Sequence, residues 1–482
     1  MTAVILLLLP WSTAWAGSKP QTDAAAESTN AIAGEEVSAT EAGESESTEI
    51  EAGFLSTTLD SGLTVSIYSN PALPVVATQT WVHVGSAHEA DNELGFAHLF
   101  EHLMFGATEQ NDAETYTRHH NVHGGNSNAY TSFDQTVYIS TISPEGHDRV
   151  LELEADRLSH LVLSADNLAR EKKVVTEELR LRMENNPGAR MQTAVLKAVF
   201  GDHPYSHAPG GTKATVMAAD LDLVKRFYEG YYHPANMHLV IVGPVSGPET
   251  LAKVEHLYAD LDKTHLEPPA LTAFADHTFP ERVTAKEDLP PIKITGQVYW
   301  GPRESDPDYA AWTMMTSMLT SGSVNPLQRV LVNEEKQALE AILIPGDLQA
   351  GSVLAFGSVS LALRRTPKAF RVLDHAVKGL GTRSWLSADN LESTRKRLLY
   401  DDLKAQYIAS EIAENIGQSY ARTGDAKRGL AGRAPMLESV TLEQVEAAWK
   451  TWILDVEPMQ VMLKKGKAQA VEADAAIDGG AQ

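Results

Sequence analysis

Cysteine is absent from all 482 residues. Disulfides, thiolate metal sites and cysteine nucleophiles are thereby excluded, and any metal must be held by imidazole and carboxylate. Positive charge is also scarce, with 40 Lys and Arg against 64 Asp and Glu, a formal balance of −24. Such a chain lacks the basic surface that nucleic acid or an anionic membrane requires. Long apolar runs are missing too. The run from Ala3 to Trp11 falls short of the roughly 20 residues that span a bilayer, so no stable membrane insertion is expected. No Lys or Arg precedes this run, but Ala14-Trp15-Ala16 after it is an A-x-A cleavage pattern. Residues 1–16 are read as a signal peptide, and the expected location is periplasmic or secreted.

The remaining composition, 43% hydrophobic and 22% charged, is that of a globular protein long enough for more than one domain. Residues 17–53 carry nine acids against one lysine and few large apolar side chains, which predicts a disordered acidic linker. Alternation then begins. Leu63 to Tyr68, Val75 to Val84, residues 134–142 and Met237 to Val242 read as strands. Asn92 to Phe105, Gly146 to Leu163 and Ala165 to Glu184 read as helices. The proline-rich stretch 264–290 reads as a second linker, and residues from Lys467 as a disordered tail. Between them the pattern restarts. Ile292 to Trp300 echoes Ala77 to Val84, and Val445 to Leu463 echoes Leu223 to Val242. Two copies of one α+β unit are implied, at 54–263 and 291–466.

One segment stands out chemically. His98 and His102 lie at i and i+4 of the expected helix, with Glu101 between them. On one helical face two imidazoles can grip a single ion, and H-x-x-E-H is the inverse of the common H-E-x-x-H zinc helix. Two surface histidines would be the plain alternative. However, Ala97, Leu99, Phe100, Leu103, Met104 and Phe105 surround the triplet, and a solvated face would not be so apolar. Zinc wants a third protein ligand. The helix around Glu171, Glu177 and Glu178 offers candidates, and spacing alone leaves each open to a solvated role, Glu177 most of all. His119, His120 and His123 form a second cluster, read as a surface turn.

H-x-x-E-H followed after 75 residues by Glu178, with Glu171 seven before it, resembles the pitrilysin (insulinase) family of zinc peptidases, in particular its bacterial half-length members. The resemblance implies one Zn²⁺ per chain, held by His98, His102 and Glu178, with Glu101 as catalytic base and Glu171 in support behind the ligands. Gly124-Gly125-Asn126-Ser127-Asn128-Ala129-Tyr130-Thr131 is similar to the family's G-G-x-x-N-A-x-T element, an edge strand. It implies that Gly125, Asn126, Asn128 and Ala129 bind a peptide substrate by strand addition. The fold implied is α+β, two homologous domains, each a mostly antiparallel sheet with helices packed on one face. In the family, an Arg and a Tyr from the second half or from a partner chain assist the reaction. The comparable stretch here, Leu361 to Phe370, has arginines but no tyrosine. A homo- or heterodimer with a related subunit supplying that pair is therefore expected. The function expected is a zinc-dependent endopeptidase. A catalytically silent partner subunit is the alternative, and a metal hydrolase acting on something other than peptides is a third reading.

Overall fold

The computed structural model describes residues 49–51, 53–184, 186–259, 261, 271–288, 291–320, 325–362, 365–382, 384–466 and 472–473. The expected signal peptide, and most of the acidic linker 17–53 and of the tail, lie outside these residues.

Two sheets carry the fold. The first holds β1 (Glu49–Glu51), β2 (Phe54–Thr58), β3 (Thr64–Ser69), β4 (Val76–Val82), β5 (Asn126–Thr131), β6 (Thr136–Ile142) and β7 (Met237–Gly243), in the order β1-β2-β3-β7-β4-β6-β5. The second holds β8 (Arg282–Glu287), β9 (Ile292–Gly301), β10 (Glu340–Leu348), β11 (Gly351–Leu361), β12 (Met459–Lys465) and β13 (Glu472–Ala473), in the order β10-β11-β9-β12-β8-β13. Each sheet is antiparallel except for one parallel pair, β3 with β7 and β8 with β12. In chain order, β3 to β7 and β8 to β12 occupy the same places, so one unit is present twice. The sequence echoes fall on equivalent strands, β4 with β9 and β7 with β12. The fold is α+β with two mostly antiparallel sheets.

Three segments depart from the sequence reading; one, Glu472–Ala473 in the expected tail, is strand β13 paired with β8. Arg282–Glu287, placed in the linker, is strand β8, with Val283 and Ala285 turned into the core. Nearby prolines hide this period-two pattern, and pairing with β12 satisfies its main chain. Glu49–Glu51, placed in the acidic linker, pairs with β2; an open sheet edge recruits backbone whatever its charge.

β4 and β7 are central and buried along their whole length. Against one face of the first sheet pack α1 (Phe96–Leu103) and α3 (Pro144–Ser159), with α4 (Ala165–Glu184) packed on α1 and α2 (Thr115–Val122) beside β5. Phe96, Leu99 and Phe100 join Val65, Ile67, Val82 and Leu239 there in one cluster. Trp312, Met315, Leu354, Phe356 and Trp449 form its counterpart in the second half.

The opposite faces are covered by exchange. The helix α5 (Pro187–Phe200), from the first half, places Met191, Leu196 and Val199 on Val283, Ala285, Val461 and Leu463 of the second sheet. The helix Ala409–Thr423, from the second half, places Ile412, Ala413 and Ile416 on Ala77, Trp81, Val240 and Val242 of the first. Each is the third helix after β6 or β11, so equivalent elements change places. Burying an aliphatic side chain contributes roughly 1.5–3 kcal/mol, and several such residues on each helix lock the halves together. Gln79 Nε2 donates to Ser410 O at 3.0 Å and Tyr130 Oη to Glu414 at 2.5 Å across the same boundary.

The closest approach is at Gly417, where a Cβ would stand 2.1–2.6 Å from the Trp81 ring. Trp81 is fully buried and cannot yield. Gly417→Ala is expected to lower unfolding stability by about 1–3 kcal/mol. Gly379→Ala, where a Cβ meets nothing within 4 Å, should change stability by no more than about 0.5 kcal/mol. Denaturant titration of both variants checks this; equal effects would contradict the exchanged-helix packing.

Candidate metal centre

The motif helix α1 is fixed at its start by a buried carboxylate. Glu89 is wholly buried and accepts hydrogen bonds from the Gly95 and Ala97 amides at 2.7 and 2.8 Å, with His207 Nε2 at 3.0 Å. Free N–H groups at a helix N-terminus favour such an anion. Gly95 adopts φ 96°, and a Cβ there would stand 2.6 Å from Gly210 O, so the entry needs glycine.

With α1 so held, its two histidines face one carboxylate on α4. His98 is buried at 1% exposure. Its Nε2 faces Glu178 Oε2 on α4 at 3.8 Å, and His102 Nε2 faces the same oxygen at 3.3 Å. One donor atom from each of the three lies within 4.8 Å of the others, and among the described residues this is the grouping of at least three such side chains able to hold an ion. His102 Nδ1 turns the other way, toward Glu171 Oε2 at 3.8 Å. Glu171 also accepts from Arg170. Glu101 Oε2 accepts from Thr131 Oγ1 on β5 at 2.6 Å.

Burial holds His98 down to about 3, the neutral form that donates a lone pair. Burial opposes charge on Glu178, but the hydrogen bond from His102 and the Arg182 guanidinium outweigh it and hold this carboxyl near 2. Burial likewise opposes a proton on His102, yet Glu178, Glu101 and Glu171 outweigh it, and its pKa rises. Burial raises Glu101 against the Thr131 hydrogen bond, which moves a carboxylate toward the range useful for a general base. The donor set suits zinc. Tetrahedral bonds of about 2.0–2.2 Å place donors about 3.4 Å apart, against the 3.3 and 3.8 Å seen here.

Beside this cluster runs an open groove of about 390 Å³, lined by Glu101, His102, Phe105, Thr117, Asn121 and residues 125–129. One wall is β5, the last strand of its sheet.

The profile of the insulinase family (peptidase family M16) matches residues 64–213, and that of the peptidase M16 inactive domain matches residues 218–360. The chain belongs to the insulinase family. This insulinase-family chain is 29% identical over 305 residues to the zinc protease PqqE of Helicobacter pylori, across 62% of its own length and 68% of that protein's. It spans about half the length of the next curated relatives. In fold it is similar to a protease from Helicobacter pylori (TM-score 0.74, 23% identity, 85% and 99% of the two chains) and to the periplasmic protease PqqL of Escherichia coli (TM-score 0.65, 19% identity, 86% and 48%).

Of the residues singled out from sequence, the insulinase-family chain gathers His98, His102 and Glu178 in one cluster; Glu171 stands behind His102 on its Nδ1 side, Glu101 lines the adjoining groove with His102, and Asn126, Asn128 and Ala129 lie on β5 with Gly125 just before it. Glu177 pairs with Arg180 in solvent. His119, His120 and His123 lie on α2 and its end; His120 is buried and bonds to Ser140, while the other two bond to main chain. Arg364 lies outside the described residues, and Arg365 begins the helix Thr366–Leu380 of the second half. Sequence reasoning missed Glu89 and Arg182. Glu89 is too far before α1 for a capping-box spacing, whereas Arg182 stands at i+4 from Glu178 and could have been found.

A proton retained by His102 competes with any cation. The raised pKa means that metal uptake must expel this proton, so affinity should still be climbing as pH passes the ordinary imidazole value of 6.5 and through the range above it. Zinc titrations against a competing chelator at several pH values check it, and an affinity flat across that range would contradict it.

Proposed function

We propose that the chain is a zinc-dependent endopeptidase acting on peptides or unfolded segments. The observation that carries this reading is the convergence of His98, His102 and Glu178 beside Glu101, at the head of a groove walled by an edge strand. His98, His102 and Glu178 would hold the ion, leaving the usual open coordination position of a catalytic site. When bound, zinc supplies Lewis acidity that polarises a carbonyl and makes water acidic. The chain's own residues do the rest. An extended peptide adds to the free edge of β5, so main-chain hydrogen bonds around Asn126, Asn128 and Ala129 accept many sequences. Glu101, set by Thr131, takes the proton from the attacking water and delivers one to the leaving amine. Glu171 fixes the His102 ring from its Nδ1 side.

The silent-subunit alternative finds its support in the second half, whose match includes the profile of an inactive domain; the donor cluster belongs to the first. Incubation of a quenched peptide with the purified chain, with and without chelator, tests the reading. Glu101→Gln is expected to keep zinc and lose about 10²–10⁴-fold in turnover, while His98→Ala and Glu178→Ala lose the metal. Near-normal turnover by Glu101→Gln would show that the base is misassigned.

We further propose that the protein works in the periplasm as a pair of half-size chains, homo- or heterodimeric. PqqL, a periplasmic protease, is matched over 48% of its length by 86% of this chain, so one chain here corresponds to half of such a protein. The partner would supply the Arg/Tyr pair. Light scattering with activity assays should find turnover only in the paired species; an active monomer would contradict the pairing.

A further inference from the structure

Glu178 points its two carboxylate oxygens in different directions. Oε2 faces His98 Nε2 and His102 Nε2 at 3.8 and 3.3 Å, and Oε1 is held by the Arg182 guanidinium one turn further along α4. The pair is sheltered: both side chains are 26% exposed, whereas the neighbouring Glu177–Arg180 pair stands at 56% and 42%. A carboxylate facing an ion with nothing behind it can swing to offer both oxygens. One whose second oxygen is occupied by a guanidinium can offer only the first.

We propose that Arg182 is a positioning residue that holds Glu178 to coordination through a single oxygen, so that a place on the metal stays open for the reacting water. This rests on the zinc reading above and adds to it. The electrostatics give the idea an opposing force to beat. A guanidinium so near the site repels a divalent cation, and on charge alone its removal should tighten metal binding. Holding a ligand in place acts in the other direction, since losing the partner behind a ligand typically weakens metal affinity 10–100-fold. The two effects differ in sign, and the sign decides.

The test uses the full chain with Arg182→Gln, Arg182→Lys and the solvent-paired control Arg180→Gln. Zinc affinity is read by competition with a chromophoric chelator, and cobalt(II) is titrated in place of zinc because its visible absorption falls as coordination number rises. Arg182→Gln should bind zinc about 10–100-fold more weakly and give a fainter cobalt spectrum as Glu178 turns to two-oxygen binding. Arg182→Lys should recover part of both, because a cation again engages Oε1, and Arg180→Gln should change neither. Zinc binding by Arg182→Gln as tight as or tighter than in the unaltered chain, with an unchanged cobalt spectrum, overturns the inference and leaves the zinc reading standing. Failure of the unaltered chain to bind either metal overturns both.

Discussion

Two imidazoles and a carboxylate gathered out of water repay their lost hydration only if they share a charge between them. That constraint organises the first half of the molecule. His98, at 1% exposure, and Glu178 come from two helices that share no local sequence, so each helix needs its own anchor. For α1 it is the buried Glu89 carboxylate at the N-terminus, with Gly95 and Gly210 in close approach. For α4 it is Val175 and Leu179 in the common core, with Lys172 Nζ donating to Ala219 O. The polar cluster is held by apolar packing on one side and a groove on the other.

The duplicated architecture shows how little of the fold dictates that chemistry. After β4 comes α1, carrying His98, Glu101 and His102; at the equivalent place after β9 comes Tyr309–Thr320, whose Trp312, Met315 and Leu319 are buried and which carries no ionisable metal ligand. The same slot holds a site in one half and core in the other. Exchange of α5 and Ala409–Thr423 between the sheets makes the second half a structural necessity for the first. Tyr130, one residue from the Thr131 that sets Glu101, is itself fastened to Glu414 of the exchanged helix.

Legibility followed the range of each interaction. His98, Glu101 and His102 were readable because a helix repeats every 3.6 residues and the motif sits within one turn of itself. The distant Glu178 has no local signal of metal binding; its seven-residue spacing from Glu171 set it apart from Glu177 but left it open to a solvated role, and only the family resemblance made it a ligand. β5 was likewise legible only through resemblance, since its Gly/Asn-rich start reads as a loop. α5 was not placed from sequence at all, and periodicity could not have said which sheet its buried face meets. β8 was lost because proline-rich surroundings outweigh six residues of alternation. Glu89 was invisible for a different reason: its role depends on a turn folding back by six residues, which no pattern records.

The central claim is that a single ion sits between these three side chains. Anomalous scattering measured at the zinc edge, on crystals of the chain grown with zinc, tests it most directly. The account predicts one strong peak bounded by His98 Nε2, His102 Nε2 and Glu178 Oε2. A peak elsewhere, with that position empty at saturating zinc, would contradict it.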